Sequence, residues 1–384
     1  MNKKLKKALI ITGSILGGVV LILCGYVGFI LLSYNRIGDI DLSVDEKSSL
    51  EQIEVGNSYK AMSYNIGFGA YSQDYTFFFD TGYDENGNKT VGHYSKARNK
   101  KEVEFNTEGA INTTKEQDAD FIFFQEVDTN STRSRHINQD KKIVETYSNY
   151  DHVYAKNFHT AFLPYPLYDM HGIVNSGLST MSRYKIQSAG RKQYTVSNDF
   201  SKYFDLDRCF SYSTIKVNNG KTLYLINSHM SAYDEGGVIR KQQVKELNDF
   251  LADKTEDYVV IGGDWNHDLL INNPDFTYNS TDNRPFNMTL KAPDWLSYYF
   301  DDDLKSPLID GYHVVASDNV PTCRNNDIEW DPDATFRCVV DGFIVSNNIN
   351  IIEHKNIQTK NGKKGLDGFA FSDHDPAYIE FSLL

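Results

Sequence analysis

Cysteine is scarce, with four in 384 residues, too few for the disulfide framework that holds small secreted scaffolds together. Excess positive charge is missing too. Thirty-nine Lys and Arg face 52 Asp and Glu, a formal net charge of −13. That excludes a chain that binds nucleic acid through overall basic character, though not one with a local basic groove. The chain has no Gly-x-x-x-x-Gly-Lys phosphate loop, no Gly-x-Ser-x-Gly nucleophile elbow, and neither clustered Cys nor His-x-x-x-His. A P-loop nucleotide hydrolase, an esterase of the elbow type and a zinc site are therefore disfavoured. What remains is rich in core material: 40% hydrophobic residues and 13% aromatics, enough to exclude a disordered acidic chain.

One long apolar run stands apart. Residues 8–32, ALIITGSILGGVVLILCGYVGFILL, carry no charge, and at about 1.5 Å per residue they span a bilayer core of roughly 30 Å. The run is longer than the apolar part of a cleaved signal peptide, and no A-x-A site follows, so it reads as an uncleaved anchor. Lys3, Lys4, Lys6 and Lys7 precede it; Asp39, Asp41, Asp45 and Glu46 follow. The positive-inside rule then predicts a basic cytoplasmic tail (1–7), a single-pass plasma-membrane anchor (8–32) and an extracellular body. Residues 33–58 read as a polar linker and 59–384 as one large domain. Residues 1–32 hold four Lys and no acid, so the remainder has 35 basic and 52 acidic residues, a net of −17. Anionic lipid repels such a body on average, leaving the anchor to hold it at the membrane. Of the extracellular cysteines, Cys323 and Cys338 either pair across a hairpin or stay free; spacing leaves both open.

Within the body, apolar strands stop abruptly at polar residues. AMSYNIG ends near Asn65, and DADFIFFQEVD runs through 121–124 into Gln125 and Glu126. TLYLINSHMSA ends on His229, and DYVVIGGDWNHD bends at two glycines into Asp264 and Asn266. CVVDGFIVS sets Asp341 among apolar neighbours, where a charge needs a partner. FSDHDPAYIEF puts Asp373 and His374 just before a last strand. Helical patterns over 95–117 and 237–253 alternate with strands, and 208–217 with 221–226 reads as a hairpin turning at Asn218-Asn219-Gly220. This mixture predicts α/β with mixed sheets rather than a doubly wound parallel one. Oxygen donors with few imidazoles suit Mg²⁺, Mn²⁺ or Ca²⁺.

The ordered series SYNIG, QEVD, SGLSTMSRY, NSHMSA, GDWN, VDGFIVS and SDHDP, from about Met62 to the C-terminus, resembles the endonuclease/exonuclease/phosphatase superfamily. The resemblance implies a four-layered α/β sandwich, two mixed β-sheets flanked by helices, here preceded by one transmembrane helix. It also implies a Mg²⁺- or Mn²⁺-dependent phosphoester hydrolase. Glu126, Asn65 and Asp373 match metal-site positions. Asp264 and Asn266 match the pair that orients the attacking water, and His374 the phosphate-contacting His oriented by Asp341. His229 matches a His of the deoxyribonuclease and sphingomyelinase branches, which leans away from abasic-site repair. Asn175 falls near a phosphate-contacting position, and Arg133, just after Glu126, is a second candidate substrate contact.

Two departures stand out. Gly342 in VDGF should leave space beside Asp341. The long interval between Asn65 and Glu126 contains YTFFFDTGYDENGNKT, read as a hairpin at the rim, with Phe77, Phe78 and Phe79 either packed or forming a lip for lipid or bases. The expected substrate is a phosphodiester, in nucleic acid or membrane phospholipid, and nothing points to a protein partner. The alternatives are a phosphomonoesterase and a catalytically inactive binding module on the same fold.

Overall fold

The computed structural model describes residues 2–203, 206–232, 238–270, 297–298 and 308–384. Helix α1 is Lys3–Ser33, α2 Lys100–Glu116, α3 Gln139–Thr146 and α4 Val238–Leu251. The strands of the two main sheets, in chain order, are β1 (Ile40–Asp41), β2 (Ser58–Asn65), β3 (Phe121–Asp128), β4 (Asp151–His159), β5 (Asn175–Ser182), β6 (Ile186–Gln193), β7 (Cys209–Lys216), β8 (Thr222–His229), β9 (Tyr258–Asp264), β10 (Tyr312–Val315), β11 (Asp341–Ser346), β12 (Ile349–Asn356) and β13 (Ala377–Leu383). One sheet has the order β12-β13-β2-β3-β5-β4, the other β1-β6-β7-β8-β9-β11-β10. Each contains one parallel pair, β2 with β3 and β8 with β9, among antiparallel neighbours.

Side-chain alternation explains why the sheets stack. Phe121 and Phe123 of β3, Leu223 and Leu225 of β8, and Phe343 and Val345 of β11 fill one core between the sheets. Ile122 and Phe124 face the other way, onto Ala110 and Ile111 of α2 and Ile143 of α3. Ile226, Val259 and Ile261 do the same for the second sheet, against Val244, Leu247 and Leu251 of α4. The result is the expected helix–sheet–sheet–helix sandwich. Gly262 is needed where the sheets come closest: a Cβ there would lie 2.5 Å from the Phe123 ring.

Three readings of the sequence change. Residues 33–58 are not a free linker. Ile40 and Asp41 pair with Arg191 and Gly190, Ile53 bridges to Val217 and is fully buried, and Leu42 and Val44 pack on the inter-sheet core. Its polar composition hid three apolar residues at irregular spacing. The space expected beside Gly342 is taken by Leu269, whose Cδ1 would lie 2.8 Å from an added Cβ. The rim hairpin is present (Thr81–Tyr83 with Lys89–Val91), but Phe77 and Phe78 are half-buried in a ring cluster and only Phe79 is exposed. Cys323 and Cys338 face each other in an antiparallel pair as free thiols.

Helix α1 is long and apolar enough to cross a membrane. Ile30 is its one buried residue, and the Tyr26 hydroxyl donates to the Phe162 carbonyl at 2.7 Å.

Acid sensitivity is built into the rim. His171 is buried against Phe77 and Phe78, with its Nδ1 2.6 Å from the Ser95 carbonyl. Burial, reinforced by nearby Arg133, pushes its pKa down to about 4. The native state holds it neutral, whereas the unfolded chain protonates it below about 6.5, so its contribution is present above that pH and lost as pH falls toward 4. The full loss is up to about 3 kcal/mol. His267, pushed down to about 3 by burial and Arg240, adds to the same trend. Urea unfolding of wild type and His171→Leu at pH 7 and pH 4.5 should show a smaller acid-induced drop in the variant; equal drops would exclude this role for His171.

Candidate active site

The parallel pairs end side by side. At a strand's end the last side chains leave the ladder and are free to converge with those of neighbouring elements. β2 ends on Asn65, paired with Gln125 of β3. β8 and β9 end on His229 and Asp264, directly opposite one another, and β11 begins on Asp341, opposite Asp264 on its other side. Below this layer the two sheets are bolted by amides: Gln125 Nε2 donates to Asn227 Oδ1 at 2.8 Å, and Asn227 Nδ2 donates to the Phe124 carbonyl at 3.1 Å.

Asp264 is the hub. Its Oδ2 accepts from Asn65 Nδ2 at 2.9 Å, and its Oδ1 from the Asn266 backbone N–H at 2.9 Å. His229 Nε2 stands 3.3 Å and His374 Nε2 3.9 Å from Oδ2. On its far side His374 Nδ1 donates to Asp341 Oδ2 at 2.7 Å. Asp341 is held in place by Thr322, whose Oγ1 accepts the backbone N–H groups of Val340 and Asp341 at 3.0 Å each. Asn266 adopts φ +50°, donates Nδ2 to the Met230 carbonyl at 2.9 Å and accepts from Arg240 at its own carbonyl. Asn65 Oδ1 accepts from the Gly67 N–H, so the amide positions Asp264 through Nδ2.

The electrostatics follow from burial and from the charges set around each group. Burial, opposed by His374, pushes Asp264 up to about 6. Burial alone would lower His374, but the adjacent Asp341 carboxylate, with Cys323 and Asp264, outweighs it and holds the imidazole well above its ordinary range, so it is protonated. His229 goes the other way: burial and the positive charges of Arg208, His374 and Arg133 keep it neutral. Two imidazoles near one carboxylate are thus held in opposite protonation states. Donor atoms of Asp264, Asp341 and His374 lie within 4.8 Å of one another. With Nδ1 committed to Asp341 and Nε2 protonated, however, His374 has no lone pair for a metal.

Glu126 sits on a bulge between Phe124 and Val127 with φ +54°, a distortion that turns its side chain out of the ladder. Burial and Asp373 raise its pKa against the pull of Arg133. Asp373 lies beside Asn65 through Ser372, whose Oγ donates to the Asn65 carbonyl at 2.8 Å. Its Oδ2 accepts from Asn326 Nδ2 at 2.9 Å, and the same amide donates to Asp80 at 3.0 Å. Two hard carboxylates, Glu126 and Asp373, beside the buried and unpartnered Asn326 Oδ1, fit a divalent cation.

Two of the sequence candidates stand apart from the hub. Arg133 forks onto buried Asp128 at 2.9 and 3.1 Å and stacks over Phe68, leaving Glu126 3.8 Å from its Nη2. Asn175 is engaged at the rim by the Asn130 carbonyl and His159. Arg208 was not singled out from the sequence. It is buried, donates Nη1 to the Met230 carbonyl, keeps Nε unpartnered and adds positive charge at Glu126 and His229. Its position at the start of a hairpin strand gave no signal. Thr322 and Asn326, in an irregular stretch, gave none either.

The family profile described as "Endonuclease/Exonuclease/phosphatase family" matches residues 62–374. The chain belongs to the endonuclease/exonuclease/phosphatase family. Solved structures agree on the fold. A truncated TDP2 from Caenorhabditis elegans is 13% identical with a TM-score of 0.52, over 85% of this chain and 99% of that one. A family protein from Leptotrichia buccalis is 16% identical with a TM-score of 0.51, over 85% and 100%. TDP2 from D. rerio, complexed with single-strand DNA product, is 12% identical with a TM-score of 0.50, over 85% and 99%. No curated protein matches the sequence at comparable stringency.

Because Asp128 is fully buried, Arg133→Met should lower the unfolding free energy by about 3–5 kcal/mol, the cost of stranding a buried charge. A loss below about 1 kcal/mol in urea denaturation, the size of an exposed pair, would exclude this structural role for Arg133.

Proposed function

We propose that this chain is a membrane-anchored phosphodiesterase that uses a divalent cation, with its body outside the cell. The observation that carries the reading is the buried Asp264 carboxylate, set between a neutral His229 and a protonated His374 and pushed up to about 6. A carboxylate poised near neutrality is suited to orient a water and accept its proton. The His374 imidazolium, held by Asp341, directs Nε2 toward the same space and is suited to hydrogen-bond a phosphate oxygen. Arg208 adds positive charge there, and Asn65 and Asn266 fix the Asp264 carboxylate plane. Glu126 and Asp373 are the residues that would hold Mg²⁺ or Mn²⁺, with Arg133 fixing Glu126 from behind. When bound, the cation supplies charge neutralisation for the non-bridging and leaving oxygens.

The anchored topology rests on the four lysines in the first turns of α1, ahead of its uncharged run, and the acids after the helix. An inactive binding module is the weaker reading, since none of the matched metal and water-positioning residues is replaced. The tether brings membrane phospholipid within reach, while nucleic acid requires a local basic surface on a body of net −17.

The test uses the full chain in nanodiscs with Mg²⁺, offered plasmid DNA and, separately, sphingomyelin or phosphatidylcholine vesicles, with Glu126→Ala as blank. Phosphodiester cleavage that EDTA abolishes and that the blank lowers by on the order of 10²-fold or more is expected. Normal turnover by the blank would sink the reading, and activity confined to phosphomonoesters would replace it with the phosphatase one.

A further inference from the structure

We propose that the loop over residues 160–173, with the neighbouring hairpin, is a membrane seat: it enters the outer leaflet of the bilayer that α1 crosses. The inference rests on the anchored reading above and names the surface that turns the site toward lipid.

The loop is unusually apolar outside. Leu167 is 77%, Tyr168 64% and Tyr165 58% exposed, with Phe162 beside them; from the hairpin side Val91 is 57% and Phe79 55% exposed. The two segments are continuous. Tyr165 packs on Phe78, and Tyr168 stacks on His93 while its hydroxyl donates to the His93 carbonyl. A contiguous apolar patch of this kind marks an interaction surface.

These side chains are held outward by a stiff frame. Leu163 and Gly172 exchange backbone hydrogen bonds at 2.9 and 3.0 Å, and buried His171 is bonded to the Ser95 carbonyl. The loop's acid, Asp169, is neutralised by Lys96 at 2.8 Å. The loop cannot fold its apolar side chains inward, and it carries no net charge to keep it in water.

The occupant follows from the position. The Phe162 carbonyl accepts from the Tyr26 hydroxyl, and Tyr26 lies seven residues before the end of α1 at Ser33, about 10 Å inside the helix end at 1.5 Å per residue. The loop therefore stands beside the last two turns of a helix that crosses a bilayer, at the depth where tyrosines and aliphatic side chains partition into the headgroup and acyl boundary. A body of net −17 is not drawn to anionic lipid, so apolar insertion is the force available. The loop leads directly into β5 at Asn175, and the hairpin joins the site through Asp80, Asn326 and Asp373. Seating this surface brings the Glu126 and Asp373 edge against lipid phosphate, which makes a membrane phospholipid the matching substrate class.

The test is independent of activity. The full chain, with Cys24→Ser, is placed in phosphatidylcholine nanodiscs with a nitroxide at Leu167→Cys, at Leu21→Cys within α1, or at Lys245→Cys on exposed α4. Collision rates with O₂ and with a water-soluble nickel chelate are then compared. The O₂-to-nickel ratio at Leu167 should exceed that at Lys245 by at least about threefold, in the direction shown by Leu21. A Leu167 label as open to nickel as Lys245, with Leu21 in lipid, overturns the seat and leaves the anchor standing. Leu21 in water overturns both. Nickel protection accompanied by dipolar broadening between Leu167 labels assigns the loop to a second copy of the chain and likewise overturns the seat.

Discussion

The structure is organised around one buried carboxylate. Asp264 is almost completely buried at the end of β9, and an isolated charge there is costly. Its cost is offset by groups delivered from several elements: Asn65 from the first sheet, His229 from the neighbouring strand, and His374 from the loop before the last strand, itself held by Asp341. None of these is near Asp264 in sequence. The two sheets must therefore stack face to face, with their parallel pairs ending together, for the site to exist. The amide bolt of Gln125 and Asn227 just beneath keeps that registry, and Gly262 lets the sheets approach there.

A second consequence of burial is that identical side chains acquire opposite characters. His229 and His374 lie on the same carboxylate oxygen, yet only His374 also has Asp341 behind it. That carboxylate, with Cys323 and Asp264, outweighs desolvation and fixes an imidazolium, while His229, facing Arg208 and the same imidazolium, stays neutral. The arrangement separates a donor from a neutral partner without any difference in residue type.

Much of this was readable before any coordinates. Strand faces obey a two-residue period that the eye finds in IFF, YLIN and VVIGG, so the layers and the strands carrying Asn65, Glu126, His229 and Asp264 were placed, while Asp341, read as lying mid-strand, opens its strand instead. Which side chains those residues touch was not readable. Asn65 looks like a metal-site amide in sequence but has its nitrogen on Asp264. Arg133 looks like a free cation but is committed to Asp128, five residues back across a turn. Residues 33–58 looked like a linker because three core contacts among many polar residues leave no period. Loop 160–173 escaped notice because apolar residues without periodicity predict neither strand nor helix, and only exposure shows that they face outward.

The docking of 33–58 bears on how the enzyme, anchored as proposed, would meet its substrate. The chain leaves α1 at Ser33 and is on the body at once: the Tyr34 ring meets Tyr203 at 4.8 Å, Arg36 lies 3.9 Å from Asp207, and Ile40 is already in a sheet. There is no leash. A body tethered this tightly cannot sweep a hemisphere of solvent or reach across to a facing surface. On the anchored reading proposed above, it would work in cis, at a set height and tilt, on whatever drifts past in the plane of its own membrane. Its encounters would then be governed by two-dimensional lateral diffusion rather than by concentration in the bulk.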